Sequence, residues 1–168
     1  YDLVDAVARS LHLSTPKELE QLGAILFPAM VNASVITSDI KKIDMLKSYG
    51  ANLSAVNYDL RTALHIACAE GNEEVAKHLL LNGAAVHIRD RYDRSPLAEA
   101  INHDYHEIIK LLLKCGSHVT GSARAIGDSL CGAAARGLVK RLESYRLAGV
   151  DLSLQDVSGR TGKDFSDF

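Results

Sequence analysis

The chain has 168 residues, enough for one domain or one compact array, and 47% of them are hydrophobic. Aromatics are only 5% and Trp is absent, so Leu, Ala, Ile and Val must build the core, which favours close-packed helices over a β-sandwich. A net charge of −2 with a pI near 6.4 argues against a general nucleic-acid binder, and the longest apolar run, Leu22 to Val31, is too short to span a bilayer and is interrupted by Pro28.

At the N-terminus, Leu3, Val4, Val7, Ala8 and Leu11 recur at helical spacing and predict an amphipathic helix over 2–13. "STPKE" then offers a second helix start, with Thr15 as N-cap, Pro16 at N1 and Glu18 at N3. This lead-in, residues 1–23, reads as a cap for the rest of the chain or as a tether to a preceding domain. The opening lacks the charged-then-apolar layout of a signal peptide. A start on Tyr1 rather than Met suggests a piece of a longer protein.

Beyond the lead-in the chain is periodic. Gly50, Gly83, Gly116 and Gly149 each close an apolar run, and each step is 33 residues. Leu64, Leu97 and Leu130 keep the same step, as do Ala67, Ala100 and Ala133. Asn57, Asp90 and Asp156 also align, with Ala123 the odd member. One period can be read from Asn57 to Val86. A polar turn comes first, then Thr62 as an N-cap. Leu64, Ala67 and Cys68 share one face of a short helix that Gly71 ends. A second helix comes next, with Val75, Ala76, Leu79 and Leu80 as its apolar stripe. Glu73 and Glu74 sit at its positive end and Gly83 at its C′ position. Neither helix is long enough to stand alone, so the stripes must be buried by stacking period on period. The expected divisions are 24–56 (a degenerate period), 57–89, 90–122, 123–155 and a truncated 156–168.

The segment "RTALHIACAEGNEEVAKHLLLNGAAVHIRD" resembles the ankyrin repeat. The next period keeps Ser95, Pro96, Leu97 and Ala100 but has Ala98 for the histidine and Asp104 for a glycine. The resemblance implies an all-α solenoid of about four helix-turn-helix repeats behind an N-terminal capping segment. The order of features also resembles the C-terminal ankyrin region of the 60 kDa lysophospholipase family, the cytosolic type I L-asparaginases. There an amidohydrolase domain precedes the repeats and carries the catalytic threonines and lysine, so no catalytic residue maps onto this chain. The phrase "LCGAAARG" is similar, in addition, to ankyrin repeats of plant potassium channels.

His65 and Cys68 look like the start of a site, but a zinc pair would need two more ligands, and His78, His87 and Cys115 lie in other columns. The resemblance implies instead that His65 bonds loop backbone and links repeats, while Cys68 fills the packed face. Cys131 falls in the His65 column and reads as packing. Cys68, Cys115 and Cys131 are odd in number, without CxxC, and read as reduced thiols of a cytoplasmic protein. No catalytic, metal or cofactor site is expected; "GRTGKD" lacks the spacing of a phosphate loop. What remains is a binding surface. The family's loop tips and inner-helix face map onto Tyr58, Asp59, Arg61 and Glu70, then Arg91, Tyr92, Arg94, Asn102 and His103, then Arg124, Arg136 and Arg160. Tyr and Arg are enriched in binding hot spots, and the recurring arginines point to an acidic partner protein or to a preceding domain of the same chain. The expected function is therefore a non-catalytic interaction or regulatory module on a cytosolic amidohydrolase. The alternatives are a scaffold region of another protein, such as a channel, or an oligomerisation tail.

Overall fold

Thr62 opens the best-preserved period as a reciprocal cap. Its Oγ1 accepts the His65 backbone N–H at 3.4 Å, and the His65 ring Nδ1 accepts the Thr62 N–H at 3.1 Å. The structure is a computed structural model that describes residues 16–48 and 50–161. The helix expected over 2–13, the Thr15 cap and the tail 162–168 lie outside the described residues. Within them the chain forms α1 (Pro16–Ile36), α2 (Ile40–Ser48), α3 (Ala63–Glu70), α4 (Glu73–Leu81), α5 (Pro96–Asn102), α6 (His106–Lys114), α7 (Ala123–Ala135) and α8 (Val139–Leu147). Consecutive helices pair as α1–α2, α3–α4, α5–α6 and α7–α8. Helices α1, α3 and α5 lie side by side in one row; α4, α6 and α8 form the other. This is the expected all-helical solenoid.

The columns read from the sequence are the core. Leu64, Ala67, Cys68, Leu97, Ala100 and Leu130 are fully buried, as are Val75, Ala76 and Leu79 of α4. Each buried leucine contributes about 1.5–3 kcal/mol, but only because a neighbouring pair covers it. The outer helices are stitched by polar contacts: Lys47 Nζ donates to Asn82 Oδ1 at 2.6 Å, and the His78 ring bonds Asp44 at 2.7 Å.

The backbone repeats as strictly as the side chains. Among the described residues every left-handed backbone except Gly121 falls in one of three columns spaced by 33. Gly50, Gly83, Gly116 and Gly149 end the second helices. Ser38, Gly71, Asp104 and Gly137 make the turns between paired helices. Leu60, Asp93 and Gly159 sit at loop tips. Gly71 must be glycine for a second reason: a Cβ there would lie 2.5 Å from the Tyr105 ring. Asp104, where the ankyrin pattern has glycine, tolerates φ of 59° as aspartate can. Its carboxylate also serves the next pair, taking Arg141 Nε at 2.7 Å and the Ser144 hydroxyl at 3.2 Å.

Two elements depart from the regular pattern. Helix α1 runs for 21 residues through Pro28 and past residue 23, so lead-in and first inner helix are one piece. No helix among the described residues is long and apolar enough to cross a membrane. The second departure is at Ala123. Where the periods from Asn57, Asp90 and Asp156 have a hairpin, Ser122 caps a helix directly, accepting the Ala125 N–H at 3.1 Å. Helix α7 is therefore 13 residues long against 8 for α3 and 7 for α5. Arg124, expected at a loop tip, sits in its first turn. The extended helix makes only marginal contact with α5, which leans on α8 instead.

The final hairpin crosses α7 at Gly127, where a Cβ would come within 2.1 Å of the Gln155 carbonyl oxygen. Gly127→Ala is expected to displace residues 155–161 while leaving α1 to α6 intact. Hydrogen exchange should accelerate at Val157, whose N–H donates across to Asp128, while amides in α1 to α6 keep their protection; unchanged protection at Val157 would contradict the close approach.

Candidate protein-interaction face

An Asn or Asp at the base of each hairpin builds it. Asn57 Oδ1 accepts the N–H groups of Asp59 and Arg61 at 2.9 and 3.0 Å. Asp90 Oδ1 accepts those of Tyr92 and Arg94 at 2.8 and 2.9 Å, and Asp156 Oδ1 those of Ser158 and Arg160 at 2.7 and 2.9 Å. The backbone closes each loop, Asn57 N–H to Arg61 carbonyl at 3.0 Å and Asp90 N–H to Arg94 carbonyl at 2.9 Å. Ala123 has no side-chain acceptor, which is why its period starts as helix instead. The carboxylates respond to this service. Burial pushes Asp90 up, but the Arg94 and Tyr92 amides and the Arg94 guanidinium outweigh it and hold its pKa down. Asp156 is held down chiefly by the Arg160 amide, against burial, with the Arg160 side chain and the Ser158 amide adding to it.

The first two hairpins join into a ridge. The Arg91 N–H donates to the Asp59 carbonyl at 3.0 Å, and Arg91 Nη2 to the Tyr58 carbonyl at 2.7 Å. Tyr58 and Tyr92 stand at the tips, 82% and 67% exposed. The Arg91 guanidinium lies 5.9 Å from the Tyr58 ring centroid and that of Arg94 5.0 Å from the Tyr92 ring. A rigid backbone thus presents two large aromatic surfaces.

The arginines beside them are engaged within the chain. Arg91 pairs with Asp59 at 3.2 Å, and Arg94 with Asp90 at 3.1 Å and Glu99 at 3.2 Å. Arg61 lies 3.6 Å from the same Glu99 oxygen. Sequence reasoning missed Glu99, a buried carboxylate on α5 that two successive hairpins share. The available signal was a charge in a column whose other members are Ile66 and Gly132. With acids beside them, these arginines no longer argue by themselves for an acidic partner. His103 is exposed, 3.7 Å from Glu99 and stacked on Tyr105. Glu70 is exposed at the end of α3. The Asn102 carbonyl accepts the Arg141 guanidinium. Arg136 turns back to the Gly132 carbonyl at 2.9 Å, while Arg124 is exposed with no ion-pair partner among the described residues.

His65 is fully buried and joins two periods: its Nε2 donates to the Arg94 carbonyl, 29 residues on, at 3.0 Å. Nδ1, 2.9 Å from the Thr62 hydroxyl, is then the acceptor within its own cap. Cys131 repeats the link with sulfur, donating to the Arg160 carbonyl, again 29 residues on, at 3.2 Å. Burial, aided by Glu99, pushes the Cys68 thiol far up, so it is no nucleophile. Among the described residues no three His, Cys, Asp or Glu side chains converge on a metal-sized site.

Burial lowers the His65 pKa, against the Arg94 carbonyl bond that raises it. The unfolded chain therefore takes up a proton near pH 6.5, about the ordinary imidazole value, that folded His65 resists. Its contribution is complete above that pH and is lost as pH falls from there through the lower folded value. His65→Gln is expected to cost about 1–2 kcal/mol at pH 7 and to flatten the loss of stability between pH 7 and 5 in urea unfolding. An unchanged slope would contradict the buried neutral ring.

Comparisons with known proteins agree with this geometry. The family model for ankyrin repeats, in three copies, matches residues 31–122. An L-asparaginase of Dirofilaria immitis is 33% identical over 95% of this chain, which spans 27% of that protein. The B-cell lymphoma 3 protein homolog of Mus musculus is 30% identical over 71% of the chain and 27% of its own length. The potassium channel GORK of Arabidopsis thaliana is 40% identical over 47% of the chain and 10% of its own length. The chain thus spans about a quarter or less of these relatives. It belongs to the ankyrin-repeat family.

Proposed function

We propose that this chain is a non-catalytic, cytoplasmic protein-interaction module carried by a larger L-asparaginase-type amidohydrolase. The carrying observation is that similarity to the Dirofilaria immitis L-asparaginase extends over 95% of the chain, lead-in included. The parent would hydrolyse L-asparagine to L-aspartate and ammonia through a separate domain, and lysophospholipids through the same domain. The repeats would present the hairpin ridge, with Tyr58 and Tyr92 as its aromatic contacts, to a partner protein or to that catalytic domain. The three cysteines, odd in number and without a CxxC, suit a reducing compartment.

A second reading comes from the 40% identity to the GORK channel, that the module is a channel's scaffold region. The coding sequence upstream of Tyr1 separates the two: an amidohydrolase domain supports the first, transmembrane helices the second.

The purified chain is expected to fold and to release no ammonia from asparagine and no fatty acid from lysophosphatidylcholine. Turnover of either substrate that survives further purification would overturn the non-catalytic reading.

A further inference from the structure

The missing hairpin at 123–127 leaves an opening that only one side of the array has closed. On the far side, the Val157 N–H occupies the column of Arg91 and would seek a carbonyl from the absent loop. It donates instead to Asp128 Oδ1 at 2.9 Å. Asp128 stands in the N-cap column of Thr62 and Ser95, and the early start of α7 frees it for this. On the near side nothing substitutes. Asp59 receives the Arg91 N–H, but the equivalent carbonyl, that of Tyr92, accepts no hydrogen bond among the described residues.

Beside that unused acceptor is a cavity of about 350 Å³ between α5, α7 and α8. Ala98, Ile101, Val119, Ile126 and Tyr145 supply its apolar lining, with Tyr92 and Ser129 also on it. It exists because α5 and α7 scarcely touch. Around it, Asp90 and Glu99 offset Arg94 and Arg61, and Asp93 offsets Arg89. Arg124, next to the lining residue Ala125, is a cation without an ion pair among the described residues, and the Asp128 carboxylate one turn on is engaged by the Val157 N–H.

We infer that this notch is a docking site for an extended peptide segment of a partner protein. The segment donates a backbone N–H to the Tyr92 carbonyl, as Arg91 does to Asp59, and so continues the ridge by one strand. It places one aliphatic or aromatic side chain in the cavity and one carboxylate against Arg124. The array's own spacing specifies the donor, the cavity specifies the anchor, and the exposed cation specifies the acid. This rests on the interaction-module reading and adds where, and to what, the module binds.

The test is a fluorescence-polarisation titration of the whole chain with labelled octapeptides. Each peptide carries threonine and valine around one central Leu, Ile, Met or Phe, with Glu next to it on the C-terminal side. At least one is expected to bind saturably and to shift the amide resonances of Ile101, Gly121 and Ile126. Replacing its anchor by Ser, or Ser129→Arg at the exposed rim, should weaken binding roughly tenfold or more. Exchanging Glu for Lys in the peptide should also weaken it, and Arg124→Glu should restore the Lys peptide. No saturable binding by any anchor peptide to the folded chain would overturn the inference. So would binding that ignores both variants, or the same amides shifting with chain concentration alone, which marks a second copy as occupant. If Ser129→Arg does not fold, the shifts in the unaltered chain decide. Binding that maps to Tyr58 alone would sink the notch and leave the interaction module standing, whereas turnover by the chain would sink the module reading without bearing on the notch.

Discussion

None of the inner helices of the well-preserved periods is long enough to persist alone: α3 has 8 residues and α5 has 7. Their apolar stripes can be buried only against the equivalent stripe one period away. Everything else in the structure answers to that constraint. The spacing must stay at 33 so that Leu64, Leu97 and Leu130 meet the same seam, and the turns must fall in register. Left-handed residues occupy fixed columns whether they are Gly71 or the costlier Asp104, because shifting one would move a whole helix off its neighbour.

Polar groups then fix what apolar burial leaves loose. His65 and Cys131 reach the same carbonyl column with different chemistry, an imidazole and a thiol. Ala98, between them, has neither, and the period after it lacks a hairpin. The two absences belong together: without Asx at 123 there is no loop carbonyl for a residue at 98 to bind. The ridge is accordingly continuous from Asn57 to Arg94, interrupted beside α7, and resumed at Asp156. In the proposed interaction role this continuity matters, since the tips of a bonded ridge are held in place and lose little further entropy on binding.

Most of the architecture was legible from one chain because repetition supplies its own alignment. Thr62 as cap, Gly71 as stop and Cys68 as seam could be read from local chemistry and helical spacing. Ala123 was visible as the odd member of its column, yet its consequence was not. An absent Asx side chain does not announce that a helix will start early, nor that Asp128 will be released to bind Val157. The charges were legible as residues but not as pairs. The sequence places Arg61 and Arg94 a period apart and cannot show that both converge on Glu99. The run at Leu22 to Val31 looked broken by Pro28, whereas α1 continues through it. One lost N–H bond of roughly 3 kcal/mol is tolerable in a 21-residue helix with a buried face.

One Asx side chain per period decides whether a hairpin forms, and amide hydrogen exchange on an Asp90→Ala variant tests this most directly. The Tyr92 and Arg94 amides, which donate to Asp90, should lose protection while Asp59 and Arg61, which donate to Asn57, keep theirs. Retained protection at Tyr92 and Arg94 would contradict the claim and assign the hairpin to stacking alone.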